Sequence, residues 1–394
     1  MRFIRPRITH FTPLPPARNG IADYAWRMME ALRPYFVQSA VTSTDGGTAP
    51  KGVALKRAAK SGELRIYQIG NNWQHRTELE QARKVPGVVI LHDLQLLHLY
   101  RSLGLDPAEV RQLMRHSAPQ LSERTIGDFA SEALKSKLPY MLCDMTGELV
   151  TGSRAVVVHS RYAKRLLERT AGRPLDHVSV IPHFAMQAAP RDRETVRAQL
   201  GVADTTYLIV TSGFAAHVKR FDLIAKAMSE LVKTIPDALW VHAGSPSHDR
   251  LDLNDIVAGY DNLHGRVIFT GYASEDRLDD WIAVSDVFIN LRFPSVGESS
   301  GSLARALAQG ACAIVTDTGS YSEYPDDCVV KMPATGTADA LLGILLHLHH
   351  SPDHRGSVGQ AAARFARTDL SIQTYARQLA DVIRKARRPA GAAL

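Results

Sequence analysis

The chain has 394 residues, too many for one ordinary domain, and its 45% hydrophobic and 22% charged content excludes disordered, collagenous and disulfide-stapled classes. No run approaches the roughly 20 apolar residues of a membrane-spanning helix. Met1 to His10 carries three arginines with no apolar stretch behind them, so no secretory leader is expected.

Cys143, Cys312 and Cys328 form no C-x-x-C pair, which fits a reducing, cytoplasmic setting and argues against structural zinc. The net charge of +7 divides unevenly. Residues 1–184 hold 26 Lys and Arg against 16 Asp and Glu, a net of +10, and residues 185–394 hold 21 against 24, a net of −3. A basic first half suits phosphorylated ligands, an anionic lipid surface or nucleic acid, and equally serves solubility alone.

In chain order, short β-branched runs alternate with longer amphipathic ones, the pattern of β-α-β units. Strands are expected at Arg2–Ile8, Leu64–Ile69, Val88–Leu91 and Ala155–Val158, then at Tyr207–Thr211, Leu239–Ala243, Arg266–Thr270, Val287–Asn290 and Cys312–Thr316. Their continuous apolar character predicts parallel strands covered on both faces. Helices are expected at Ile21–Leu32, Arg161–Arg169, Phe221–Thr234, Glu275–Val284 and Ser302–Gln309, with starts capped by Ser160, Asp222 and Ser274 and a stop at Gly310. The segment Ile181 to Arg193, with two prolines and neither period, reads as a linker. The boundaries follow: a first α/β domain over 1–184, a second over 185–371, and a basic terminal helix from Ile372 to Arg388 followed by PAGAAL. The histidines have no zinc spacing apart from the cluster of His347, His349 and His350 in LLHLHHSPDH, a surface-like stretch that reads as a helix end.

Ligands of open parallel sheets bind beyond the carboxyl ends of the strands, so the loops after each run matter most. After the first strand, Gly20 stands just before a helix, where a missing side chain lets backbone N–H groups approach an anion; a proline-rich turn with a helix start explains it equally well. His92 and Asp93 follow Val88–Leu91, and His92 is either a donor to a substrate hydroxyl or phosphate or a structural hydrogen-bonding group. Gly213 follows another strand, and Lys219 and Arg220 precede a helix, a diphosphate clamp or a solvated loop.

The segment FINLRFPSVGESSGSLARALAQG is the most specific. Arg292 and the amides of Ser300, Gly301, Ser302 and Leu303 are expected to face an anion. A carboxylate among such groups suits sugar or ribose hydroxyls better than phosphate, and that is the reading for Glu298; its alternative is a helix-dipole partner. No G-x-G-x-x-G follows a strand and no P-loop occurs. No D-x-D is present, so no metal site is expected.

Taken together, PLPPARNGIADY, His-Asp after a strand, VHSRYAKRLL, VIPHF, the Gly–Lys loop and PSVGESSGSLARALAQG resemble the family-4 retaining glycosyltransferases of the GT-B fold, from Thr12 to about Asp327. The resemblance implies two Rossmann-like domains facing across a cleft. The second holds a nucleotide-sugar and the first an acceptor, with residues 372–394 returning to the first. It implies Gly20 near the donor diphosphate, His92 facing the transferred sugar, Lys219 on the diphosphate and Glu298 on sugar hydroxyls, with no cofactor beyond the nucleoside diphosphate sugar itself.

The chain departs from the family at Phe214, where an arginine is usual, and at Ala306 or Arg305, where a second glutamate is usual. Arg292 is expected to supply the missing charge. The expected activity is transfer of a hexose to a hydroxyl of a cell-surface glycan or lipid-linked saccharide, on a cytoplasmic protein that touches the inner membrane face through its basic half. An epimerase on the same fold and a non-catalytic nucleotide-sugar or glycan binder are the alternatives. Nucleic acid is not an expected partner, because no aromatic-interleaved basic patch or recognition module is present.

Overall fold

The computed structural model describes residues 5–17, 19–131, 141–187, 189, 191–248 and 251–387. The expected strand residues Arg2–Ile4, the helix end at Arg388 and the PAGAAL tail lie outside the described residues. The chain divides into two compact units. The first comprises Met1–Pro182, Val296–Ser299 and Ile372–Leu394; the second comprises His183–Ser295 and Ser300–Ser371.

The first unit is built on a seven-stranded parallel sheet of β1 (Arg7–Phe11), β2 (Val37–Val41), β3 (Val53–Leu55), β4 (Leu64–Ile69), β5 (Val88–Leu91), β6 (Ala155–Val158) and β7 (Val178–Val180), in the order β3-β2-β1-β4-β5-β6-β7. Every residue of β5 and β6 is buried, which is why these runs read as continuous apolar segments. Helix Gly20–Leu32 follows β1, and helix Ile372–Ala386 packs against it, with the Tyr24 and Tyr375 rings 5.7 Å apart.

β1 starts five residues later than expected, and β2, β3 and β7 are not anticipated by apolar patterning. In β2 the reason is specific. Its buried Gln38 and Ser39 pair with polar groups of β1, through His10 Nε2 to Gln38 Oε1 at 2.8 Å and Thr9 Oγ1 with Ser39 Oγ at 2.9 Å. Buried polar residues that satisfy one another hide a core strand from hydropathy.

The second unit has a six-stranded parallel sheet of β8 (Tyr207–Ser212), β9 (Ala238–Ala243), β12 (Val267–Phe269), β13 (Val287–Asn290), β14 (Ala313–Asp317) and β15 (Val330–Pro333), in the order β12-β9-β8-β13-β14-β15. A two-stranded antiparallel pair, β10 (Ser247–His248) and β11 (Leu251–Asp252), lies apart from it. Helices Phe221–Thr234, Glu275–Ala283 and Gly301–Ala308 lie where periodicity puts them, to within one residue.

Ser160 and Ser274 cap helices as expected, by accepting from Ala163 N and Arg277 N. Asp222 does not. Its helix starts from Arg220, whose φ of 56° is left-handed, and Asp222 lies inside the first turn. The three-histidine stretch closes helix Ala338–His350. Among the described residues, no helix is long and apolar enough to cross a membrane.

One buried group couples the first unit to pH. Both carboxyl oxygens of Glu78, in helix Arg76–Lys84, are buried and have no hydrogen-bond partner among the described residues. Burial pushes its acidity from an ordinary 4.5 up to about 8. Between those values the folded chain binds the extra proton, so stability is lost as pH rises through that window. The melting temperature should therefore fall more steeply from pH 5 to pH 8 in the wild type than in Glu78→Gln. Equal slopes would show that the carboxyl is solvated.

Candidate functional site

In the second sheet the strand order turns back at β8, with β9 on one side and β13 on the other. The carboxyl ends of β8 and β13 therefore border a topological switch point, where side chains do not block a crevice. The loops leaving these two strands carry Lys219 and Arg292. They are tied together by Phe293 N donating to the Val218 carbonyl at 2.7 Å.

Lys219 reaches back to donate from Nζ to the Ser212 carbonyl at 2.9 Å. Burial, and then the nearby Arg292 cation, push its pKa well below the ordinary lysine value. The repulsion between these neighbouring cations is a cost that an anionic ligand would relieve.

Gly213 shapes the seat. Its φ is +83°, and a Cβ there would lie 2.8 Å from Lys219 Nζ. Gly244, at the end of β9, was not singled out by sequence. A Cβ on it would run into the Gly213 carbonyl oxygen, so the β9 end must be bare for the Gly213 loop to lie against it. The signal available was a glycine at a strand's carboxyl end.

His242, at the end of β9, is a second residue that sequence missed. Thr211 Oγ1 accepts from Trp240 Nε1 at 2.9 Å and lies 3.0 Å from His242 Nδ1, tying the imidazole to β8. Burial and the Lys219 charge bring its pKa down to about 4. Beside it, Ser212 Oγ and Asn290 Nδ2 are buried and make no hydrogen bond with the described residues. Buried polar atoms are nearly always satisfied, so two at one strand-end crevice mark a place for a ligand or water.

Across the switch point, Arg292 is fixed by its backbone N to Thr316 Oγ1 at 3.0 Å and by Nε to the Tyr321 hydroxyl at 3.4 Å. Helix Gly301–Ala308 begins at Ser300, whose hydroxyl donates to Asn290 Oδ1 at 3.2 Å. The expected run of outward amides is shortened here. Leu303 N donates to Ser300 Oγ at 3.2 Å, so Leu303 is spent on the cap, and Gly301 and Ser302 retain the first-turn positions.

Arg220 is the weaker cation of its pair. It lies 3.9 Å from Asp222 and 6.0 Å from the Phe293 ring centre. Phe214, at the position where an arginine is usual, is 52% exposed.

The missing second glutamate has a structural correlate. Ala306 is fully buried, and Arg305 points to helix Glu275–Ala283, where it pairs with Glu275 at 2.8 Å and Asp279 at 2.9 Å. Arg305 therefore anchors one helix to another.

Glu298 accepts from Val296 N at 2.8 Å and lies in the segment Val296–Ser299 that groups with the first unit. Only Ser299 separates it from Ser300 along the chain, a reach of about 7 Å at most between their Cα atoms.

On the first unit, Gly20 opens its helix in open space, with Asn19 Oδ1 accepting from Ile21 N as the cap. His92, at the end of β5, is held from both sides. Its Nε2 lies 2.6 Å from Gln68 Oε1, and its Nδ1 lies 3.3 Å from His159 Nε2. His159 donates from Nδ1 to the Ile181 carbonyl at 2.9 Å, and burial lowers its pKa to about 4, so its Nε2 accepts. His159 ends β6 as His92 ends β5, and the strand-end rule could have found it. Among the described residues, no three His, Cys, Asp or Glu side chains gather as a metal site.

Residues 205–347 match the family model for Glycosyl transferases group 1. The chain is 26% identical over 220 residues to the D-inositol 3-phosphate glycosyltransferase of Nocardia farcinica, covering 54% of this chain and 46% of that protein. It is 23% identical over 207 residues to the GDP-mannose-dependent monoacylated alpha-(1-6)-phosphatidylinositol monomannoside mannosyltransferase of Corynebacterium glutamicum, covering 50% and 52%. The chain thus spans about half the length of the curated relatives it matches.

Among solved structures, sucrose-phosphate synthase from Thermosynechococcus elongatus superposes with a TM-score of 0.70 at 16% identity, covering 97% of this chain and 99% of that one. WaaG, a glycosyltransferase involved in lipopolysaccharide biosynthesis, gives a TM-score of 0.63 at 15% identity, covering 95% and 99%. HepE of Anabaena, solved with UDP, gives 0.62 at 12%, covering 97% and 100%.

Proposed function

We propose that this chain, which has the GT-B fold and carries a Glycosyl transferases group 1 segment over residues 205–347, moves a hexose from a nucleoside diphosphate sugar to a hydroxyl acceptor with retention. The observation that carries the reading is the pair Lys219 and Arg292, brought together at the strand-order reversal of the second sheet beside the Ser300-capped helix start.

A leaving diphosphate develops negative charge as the sugar–oxygen bond breaks. Fixed cations and first-turn amides at that place stabilise it without reorganising. Lys219 and Arg292 are assigned to the diphosphate, Gly213 and Gly244 to the space it occupies, and Glu298 to donor-sugar hydroxyls. Arg220, Ser300, Gly301 and Ser302 line the donor side of this assignment. Gly20 and His92 keep the roles that the family resemblance gives them. Retention needs no enzyme nucleophile when donor and acceptor meet on one face of the sugar, so positioning supplies the rest of the rate.

The acceptor class is a glycan or lipid-linked saccharide, in keeping with the names of the mannosyltransferase and of WaaG. The excess of basic residues in 1–184 suits contact with an anionic lipid surface. Sedimentation with phosphatidylglycerol vesicles at low salt, lost at high salt, is the expected sign; no sedimentation at low salt removes this part.

The activity test is a thermal-shift screen of UDP-, GDP- and ADP-sugars followed by acceptor-free incubation. A ligand at about 100 times its dissociation constant adds about 2.7 kcal/mol. The transferase reading expects one nucleotide class to stabilise the protein, with only slow hydrolysis until an acceptor is added. Isomerisation of the donor sugar without acceptor would replace it with an epimerase, and no stabilisation by any class would remove it.

A further inference from the structure

Trp73 is 72% exposed, the most exposed of the large hydrophobic side chains among the described residues, although the turn that carries it is tied on both sides by hydrogen bonds. It occupies the 3-10 turn Trp73–His75 directly after β4, and β1 and β4 border the strand-order reversal of the first sheet. The turn ends in His75, which is fully buried. His75 Nδ1 donates to the Gln68 carbonyl at 2.9 Å, and its Nε2 meets Asn19 Nδ2 at 3.2 Å, joining the loops after β4 and β1.

Asn72 Oδ1 accepts from Gln74 N at 3.0 Å, which orients the Asn72 NH2 group as a donor. Asn71 N donates to Asp93 Oδ2 at 2.9 Å, joining the loop after β4 to the one that carries His92, and Asn71 Oδ1 accepts from Leu99 N at 3.1 Å. Gly70 completes the constraint, because a Cβ there would collide with Ile21 and come within 3.0 Å of His75 Nε2.

A lone exposed indole is ordinary on a protein surface. One displayed on an over-determined turn, at the carboxyl end of a switch-point strand and among oriented carboxamides, is a built platform. The hydrogen bonds on either side of Trp73 fix the turn that displays it. An indole face offers a flat apolar surface, and the surrounding amide and carboxylate groups offer hydrogen bonds to hydroxyls. Asp93 beside the platform disfavours phosphates and other anions. The ligand that matches an apolar face edged with hydroxyls is a sugar ring.

We propose that Trp73 is the stacking platform of a saccharide-binding site on the first unit, with Asn71, Asn72 and Asp93 reading the ring's hydroxyls. Naming that ring the acceptor rests on the transferase reading above; its being a saccharide does not.

The test titrates the full chain with methyl glycosides of glucose, mannose, galactose, N-acetylglucosamine and rhamnose, with uridine and adenosine as controls, and follows tryptophan emission. Trp240 and Trp281 are buried and Trp26 is half-buried, so a saccharide-induced blue shift is expected chiefly from the exposed Trp73, and the Trp73→Ala variant separates it from Trp26. It should vanish in Trp73→Ala, whose melting temperature should match the wild type because the side chain is exposed. A wild type that responds to no glycoside, that responds to the nucleosides instead, or whose response survives Trp73→Ala overturns the proposal. In transfer assays, Trp73→Ala should raise acceptor KM roughly tenfold and leave donor KM unchanged. Transfer with an unaltered acceptor KM overturns the acceptor assignment; saccharide binding with no transfer from any donor overturns the transferase reading and leaves the platform standing.

Discussion

Replacing Lys219 with Met should lower turnover by roughly 10²–10³, the usual loss when one charge-stabilising donor is removed, and should raise the melting temperature of the ligand-free protein. The second effect follows from geometry. The ammonium is buried against the Ser212 carbonyl with Arg292 close by, and both circumstances disfavour its charge. A methionine of similar length fills the space without that cost. A residue kept for folding would show the opposite sign in stability.

The same arrangement fixes a pH dependence. With the site empty, the Lys219 proton is held less tightly than usual; a bound diphosphate raises its affinity for that proton. At a pH between the free and bound values, nucleotide binding takes up a proton, and affinity falls as pH rises through that window. Calorimetry in two buffers of different ionisation enthalpy measures the uptake directly. Lys219→Met should abolish it. Unchanged uptake, turnover within a few-fold of wild type, or a lowered melting temperature would each contradict the assigned role.

The largest stability effect is expected at Arg197, whose side chain is 1% exposed and lies in helix Arg193–Leu200. Its guanidinium donates to the carbonyls of Ala203, Asp204, Thr206 and Val284 and to Asp286 Oδ2 at 2.8 Å. Asp286 also accepts from Leu208 N, at the start of β8, and pairs with Arg193. One guanidinium thus joins the first helix of the second unit to the beginnings of β8 and β13, the two strands whose far ends form the candidate site.

Arg197→Met leaves the largely buried Asp286 carboxylate short of one arginine partner and removes the guanidinium donor from four carbonyls. Breaking a buried pair from one side costs about 3–5 kcal/mol. The variant should melt far below the wild type and lose nucleotide binding along with structure, as read by calorimetry and circular dichroism. A melting temperature within a degree or two of wild type would mean that water replaces the guanidinium.

How much of this was visible in the chain depends on how each residue is satisfied. Leu64–Ile69, Val88–Leu91, Ala155–Val158 and Val287–Asn290 have the bounds their apolar runs give, because parallel strands buried on both faces need nothing else. β2 was hidden because Gln38 and Ser39 are satisfied by β1, and β15 because an edge strand can carry Lys331 and end in Pro333.

At the site, Lys219, Arg292 and Ser300 could be singled out from the loops that follow strands. Gly244 and His242 could not be weighed in the same way, since their meaning comes from β8 and the loop after it: a carbonyl that passes too close for any Cβ, and a threonine hydrogen-bonded to the imidazole. The amide of Leu303 was expected to face a ligand and instead closes its own cap, because a serine at the helix start competes for that N–H. Arg305, at a position where the resemblance leads one to look for a carboxylate, is taken up by Glu275 and Asp279.

The most direct measurement is a crystal structure of the full chain with the nucleoside diphosphate that gives the largest thermal shift. The account predicts its terminal phosphate within hydrogen-bond distance of Lys219 Nζ, with Arg292 and the amides of Gly301 or Ser302 on the remaining oxygens. A diphosphate bound elsewhere, with Lys219 still donating to the Ser212 carbonyl, would contradict it.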